Sequence, residues 1–249
     1  MPKSNNNKVL IFVASMTVVV ALVLSLMSTG LKSVHKKNEA VYNKRAIISA
    51  VKNQLEKPLD EMTDEEVAGI FETQIEQMAL DHDGKIVDEQ RIKDAGYPSG
   101  KPESIELGAE RKKAPENRIY PLFVFDKGGE KYYITSVRGN GLWDEIWGNI
   151  ALENDFKTIA GVAFDHKAET PGLGAEIKDN DAFKKQFIGK KIKNDQGDFT
   201  GIELIKGGAP DDAPHAVDGI TGATVTANGV EAMIQKGMDP YNDYFSEIQ

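Results

Sequence analysis

From Val9 to Leu31 the sequence carries no charged residue, and Val9 to Leu24 is apolar except for Ser15 and Thr17. A bilayer-crossing helix needs about 20 such residues, and inside lipid only a helix can satisfy the backbone of a single segment. The run therefore predicts a transmembrane helix over 9–31, preceded by a short N-terminal segment, 1–8. A cleaved signal peptide is the alternative, because Ser28-Thr29-Gly30 has the small-x-small form of a cleavage site. The run exceeds the usual apolar region of about 7–15 residues in such peptides, which favours a retained anchor. Lys3 and Lys8 precede the span, whereas Lys32, Lys36, Lys37, Lys44 and Arg45 lie beyond it. Taken literally, the positive-inside rule puts the bulk of the chain in the cytoplasm, although large domains are translocated largely regardless of charge.

The remainder of the chain fits one α+β domain with a sizeable core, and two small domains remain an alternative. There is no cysteine, so disulfides, thiolate nucleophiles and cysteine-held iron–sulfur centres are excluded. Redox chemistry would need a bound cofactor. A net charge of −9 argues against a nucleic-acid surface. The histidines, His35, His82, His166 and His215, show no metal-binding spacing, and no metal site or catalytic acid–base residue is expected.

Glu39–Lys57 reads as a helix, with Val41, Ile47, Ile48, Val51 and Leu55 at helical spacing before Pro58. A capping box, Thr63-Asp64-Glu65-Glu66, opens a second helix, whose stripe is Val67, Ile70, Phe71, Ile75 and Met78. Asp81 to Lys113 reads as an exposed connection, which makes 32–113 a helical and connecting region. In the remaining 114–249, Tyr120–Asp126 and Lys131–Val137 form a hairpin through Gly128-Gly129. Gly148–Leu152 and Thr158–Phe164 form another around Glu153-Asn154-Asp155. A short helix over Ala182–Ile188, a strand over Phe199–Ile205 and a last helix from Thr224 complete an antiparallel sheet with segregated helices.

The hydroxyl-rich segment Asp218-Gly219-Ile220-Thr221-Gly222-Ala223-Thr224-Val225-Thr226 has the densest chemical pattern in the chain. Its glycines let another molecule approach the backbone, and its threonines offer uncharged oxygens. A hydroxyl here can also simply cap the helix that buries Val230, Met233 and Ile234 and ends at Gly237. The two roles are compatible, because a helix N-terminus also attracts an anionic phosphate. Two further loops are rich in glycine: Gly139-Asn140-Gly141-Leu142-Trp143 after the first hairpin, and Glu169-Thr170-Pro171-Gly172-Leu173-Gly174 after the second.

Asp218 to Thr224 resembles the flavinylation motif Asp-x-x-Ser/Thr-Gly-Ala-Ser/Thr. With the two loops and the single span in this order, the whole chain resembles the C subunit of the Na+-translocating NADH:quinone oxidoreductase. The G subunit of the related bacterial electron-transport complex shares the flavin domain and is the runner-up. A membrane-tethered binding or sensory module, in which Thr224 is an ordinary cap, is an alternative of another class.

The resemblance implies an antiparallel-sheet FMN-binding domain and an electron carrier with FMN joined to Thr224 by a phosphoester. It implies a Mg2+-dependent flavin transferase as maturation partner, with the other subunits of the respiratory complex and membrane lipid around the chain. The large domain is then extracytoplasmic, on the outer face of a bacterial inner membrane. Asp218, Thr221, Gly222 and Ala223 belong to the acceptor loop, and Glu169, Thr170, Leu173 and Gly174 surround the flavin. Thr170 would hydrogen-bond and Leu173 pack on a ring, the alternative for this loop being a plain turn set by Pro171 and Gly172. Trp143 either faces flavin or is a buried structural residue. Asn140 stands where the family often has Tyr, so no aromatic role passes to it.

Overall fold

The computed structural model describes residues 5–248, so Lys3 of the first segment lies outside them. The chain divides between Tyr42 and Asn43 into two compact units. In the first, helix α1 (Asn5–Ser49) contains the stretch Asn7–Lys32, long and apolar enough to cross a membrane. Its 26 residues rise about 39 Å at 1.5 Å each. The helix expected over Glu39–Lys57 forms as the end of α1 but only to Ser49, with a single tight turn, Lys52–Gln54, after it. The cause lies in packing. The Ala50 carbonyl seats directly against Gly161, where any Cβ would collide with it.

In the second unit the capping box opens α2 (Asp64–Gln74) as expected: Thr63 Oγ1 accepts from the Glu66 amide at 3.2 Å, and Glu66 accepts from the Thr63 amide at 2.7 Å. The helical stripe does not reach Ile75 and Met78, which lie instead in strand β1 (Ile75–Leu80), opposite Phe125 and Leu122. Pairing with a neighbouring strand overrides the local period.

The predicted exposed connection holds α3 (Glu89–Asp94) and α4 (Leu107–Glu110) over a small core of Ala79, Ile92, Tyr97, Ile105 and Ile119. At its edge the buried Glu110 carboxylate accepts from Tyr97, from Lys113 and from the Ile119 amide. Burial and this carboxylate push the Tyr97 hydroxyl well above its ordinary range.

Strands β2 (Tyr120–Lys127) and β3 (Glu130–Asn140) form the first hairpin, and β4 (Glu145–Leu152) and β5 (Ile159–His166) the second. With β1 they make an antiparallel meander in the order β1-β2-β3-β4-β5. Gly139 and Asn140 belong to β3 rather than to a free loop, so Gly141–Asp144 is the turn into β4. After β5 come α5 (Glu176–Asp179) and α6 (Asp181–Lys185).

The strand expected over Phe199–Ile205 shrinks to β6 (Glu203–Ile205), paired in parallel with β7 (Ala216–Asp218). Gly201 at φ +66° turns the chain just before it, leaving Phe199 a lone bridge to Lys193. The last helix is not α7 (Thr224–Gly237) but α8 (Asp239–Ile248), whose first turn contains Pro240, where a missing N–H costs nothing.

Alternation along the strands gives the sheet two apolar faces. Leu122, Val137, Ile150 and Leu152 pack with Val230, Met233, Ile234, Tyr241 and Phe245 of α7 and α8. On the other face Phe123, Phe125, Ile134 and Ala151 pack with Ile47, Ile48, Val51, Val67 and Phe71. Truncating one such buried aromatic to Ala costs about 3–5 kcal/mol. A sheet clamped on both faces gives the loops at its edge a rigid base.

Candidate functional site

Helix α7 starts without a capping side chain. Its N-cap is Ala223, at φ −127°, so neither Thr224 nor Thr226 acts as the plain cap that the sequence allows. Thr224 occupies the first helical position and is exposed, as are Thr221 and Gly222, while Ala223 is buried. The first turn of α7 carries no acidic residue. Its uncapped amides and the positive end of the helix dipole therefore face solvent and any anion bound there.

A cavity of about 200 Å³ opens at this point, lined by Lys206, Gly207, Gly219, Thr221, Gly222, Thr224 and Asn228 with an apolar floor of Leu204, Ile220 and Ala227. Gly222, at φ +77°, touches the Leu173 side chain, where a Cβ would lie 2.8 Å from Cδ2. This contact joins the Glu169–Gly174 loop to the acceptor loop.

Asp218 does not line the cavity. Its Oδ1 accepts from the Ala209 amide at 2.7 Å, nine residues back, and its own amide donates to Gln186 Oε1 at 2.9 Å. It fastens the Lys206–Ala209 loop beside the cavity rather than forming a local turn.

Glu169 is the hub of the neighbouring loops. Its buried carboxylate accepts from the Trp143 amide at 3.0 Å and from Thr226 Oγ1 at 2.6 Å, while its amide donates to His166 Nδ1 at 3.1 Å. Gly141 and Gly174 close around the carboxylate so tightly that a Cβ on either would strike it. Thr170 Oγ1 accepts from the Trp143 indole at 3.2 Å. Trp143 itself is 67 % exposed, which rules out the buried structural role. It stands with Leu142, Leu173 and Val225 as an apolar, solvent-facing rim on these loops.

The expected residues thus lie on one connected set of loops, with Asp218 at its back. Sequence reasoning missed Lys206, Asn228 and the load carried by Thr226. The signal for Thr226 was present, since Thr226, Val230, Met233 and Ile234 share one helical face and a buried hydroxyl on it requires a partner. Lys206 comes from a loop distant in sequence and could not be read without the β6–β7 pairing.

Chemically, the cavity offers a phosphate monoester exposed hydroxyls, a lysine, glycine backbone and a helix N-terminus, which is a suitable donor set. Residues 141–239 match the family model of the FMN-binding domain. Over 241 residues the chain is 33 % identical to the C subunit of the Na(+)-translocating NADH-quinone reductase of Yersinia pestis, covering 92 % of this chain and 88 % of that one. The C subunit of the Vibrio anguillarum reductase is 34 % identical, with 92 % and 89 % covered.

The chain belongs to the C-subunit family of Na(+)-translocating NADH-quinone reductases.

The crystal structure of the C subunit from Parabacteroides distasonis superposes with a TM-score of 0.72 at 29 % identity, covering 87 % of this chain and 97 % of that one. That structure thus shares the α+β architecture described above.

Proposed function

We propose that this chain is the electron-carrying C subunit of a Na+-translocating NADH:quinone reductase, with FMN joined by a phosphoester to Thr224 Oγ1. The observation that carries this is the Thr224 hydroxyl, exposed on the uncapped first position of α7 in a cavity holding Lys206. When bound, FMN would accept and donate one or two electrons at its ring system. The protein's own residues bind, orient and shield. Lys206 and the first amides of α7 neutralise the phosphate. Gly219 and Gly222 let it approach the backbone, and Leu173 with Trp143 offers apolar surface to a ring.

In maturation by a flavin transferase, Thr224 Oγ1 would be the nucleophile that takes FMN from FAD, losing its hydroxyl proton, with AMP as the leaving group. A tether of this kind holds the carrier at high effective concentration without enclosing it. The domains in this assignment are 1–8, the anchor 9–31, the helical and connecting region 32–113 and the flavin core 114–249. The chain is anchored in the bacterial inner membrane with its large domain outside the cytoplasm, beside the other subunits of the complex.

Peptide mass spectrometry after coexpression with a flavin transferase tests the linkage. FMN mass is expected on the Thr224 peptide, absent from Thr224→Val and retained in Thr221→Val. Flavin mapped to another residue would refute the assignment.

A further inference from the structure

A second cleft lies farther along α7, lined by Gly229, Ala232, Met233, Lys236 and Gly237, and shares no lining residue with the Thr224 cavity. Its volume is about 420 Å³, within the range of small-molecule sites. Lys236 is about 18 Å along the helix axis from Thr224, at 1.5 Å per residue.

Four cationic side chains from separate parts of the chain surround this cleft: Arg111, Arg118, Arg138 and Lys236. In a chain of net charge −9 this is a local reversal of sign. The one carboxylate in the lining, Glu110, is already neutralised by Lys113 at 2.6 Å.

Three of the cations are held in place. Arg111 Nη1 donates to the Gly139 carbonyl at 3.1 Å, and Arg118 donates to the Lys113 and Arg111 carbonyls at 3.0 and 3.1 Å. Arg138 lies between Gly108 and the Trp147 ring, 4.9 Å from the ring centroid, and pairs with Glu145 at 2.6 Å. Bonds to neutral carbonyls fix a guanidinium without removing its charge, so Arg111 and Arg118 are preorganised cations. Arg138 Nε is buried with no hydrogen-bond partner, and exposed Lys236 has no ion pair among the described residues. A structural role for the arginines accounts for their carbonyl bonds. It leaves the open volume and the unpaired, exposed Lys236 without an explanation.

We infer that this cleft binds the phosphoryl group of a small organic phosphate. Cations converging from several directions suit the tetrahedral oxygens of a phosphoryl group better than a planar carboxylate, which one guanidinium can satisfy. Leu107, Tyr120, Val137 and Met233 give the cleft apolar walls for the organic part. The phosphoryl group has two sources, a free phosphate ester or a phospholipid headgroup.

The test uses the full chain in neutral detergent, made without a flavin transferase, titrated with AMP and with adenosine by calorimetry. AMP is expected to bind with a dissociation constant of about 1 mM or tighter at low salt, and adenosine not measurably. Lys236→Glu, an exposed change that leaves the fold intact, should weaken AMP at least about tenfold, and Lys236→Gln should weaken it less. Thr224→Val should leave it unchanged. The same chain in phosphatidylcholine nanodiscs, with or without phosphatidylglycerol, separates the sources. Phosphatidylglycerol binding that Lys236→Glu removes, without AMP binding, supports the headgroup. Failure of both ligands, AMP no tighter than adenosine, or binding indifferent to Lys236→Glu overturns the inference. Loss of AMP in Thr224→Val would overturn it too, by placing the ligand in the other cavity.

Discussion

Thr226→Val isolates the contact that binds the three loops together. Thr226 is fully buried, and its hydroxyl lies 2.6 Å from Glu169 Oε2, a length typical of a hydroxyl bonded to a carboxylate. Valine keeps the shape of threonine, so no cavity opens. The loss is one hydrogen bond to a charged acceptor, leaving a buried carboxylate oxygen unpaired, which costs about 2–3 kcal/mol. For a domain of this size that lowers the melting temperature by about 4–12 °C. A capping hydroxyl would cost about 0.5–2 kcal/mol, so the single mutant alone does not separate the roles. The double mutant with Glu169→Gln does. Partners in contact should show a coupling of about 1–2 kcal/mol, whereas a cap has none with Glu169. Chemical denaturation of the full chain in mild detergent, followed by fluorescence of Trp143 and Trp147, measures both quantities. A loss below about 0.5 kcal/mol, or strict additivity with Glu169→Gln, would refute the hub assigned to Glu169. Thr226→Val is also expected to keep covalent flavin, unlike Thr224→Val.

Asp218→Ala should lower flavin loading while the domain still folds, because it frees the Ala209 amide and loosens the loop carrying Lys206; full loading at unchanged rate would count against this. Asp181 is held at about 2 by hydrogen bonds from Lys52 and then Lys184, below its ordinary 3.8. Its contribution is therefore present above about pH 4 and is lost as pH falls through about 2. Because the side chain is 60 % exposed, Asp181→Asn should cost less than about 1 kcal/mol at neutral pH, less at pH 2 and nothing by about pH 1, and an undiminished loss in acid denaturation would contradict the pairing. A C-terminal reporter active only outside the cytoplasm is expected, and a cytoplasmic-only signal would reverse the proposed topology.

The parts of the fold legible in the sequence are those with strong local chemistry. The Thr63–Glu66 box and both hairpins announce themselves through caps, glycines and β-rich runs, and the structure has them. What stayed hidden depends on neighbours distant in sequence. Ile75 and Met78 continue a helical period but are claimed by β2, and α1 stops where Ala50 meets Gly161. At the site, the exposed Thr224, Thr221 and Gly222 were legible as a motif. The partners of Glu169 were not, since its two acceptor oxygens are filled from residues 26 positions before it and 57 after it.

The division of labour at the site comes from burial. Glu169 and Thr226 are buried and mutually bonded, so they fix positions. Thr224 and Trp143 are exposed on elements that those bonds hold still, and Lys206 is exposed on the loop that Asp218 fastens. An enzyme that excludes water needs the reverse arrangement, with its reactive group enclosed. A carrier must meet one partner and then another, so its group has to stand at the surface while its mounting stays rigid. Leu142, Trp143 and Leu173, exposed on the connected loops, and Val225, exposed next to Thr224 in the chain, supply apolar surface on which such partners can seat. An exposed Thr224 on a buried scaffold is therefore the arrangement that the proposed tethered electron carrier requires.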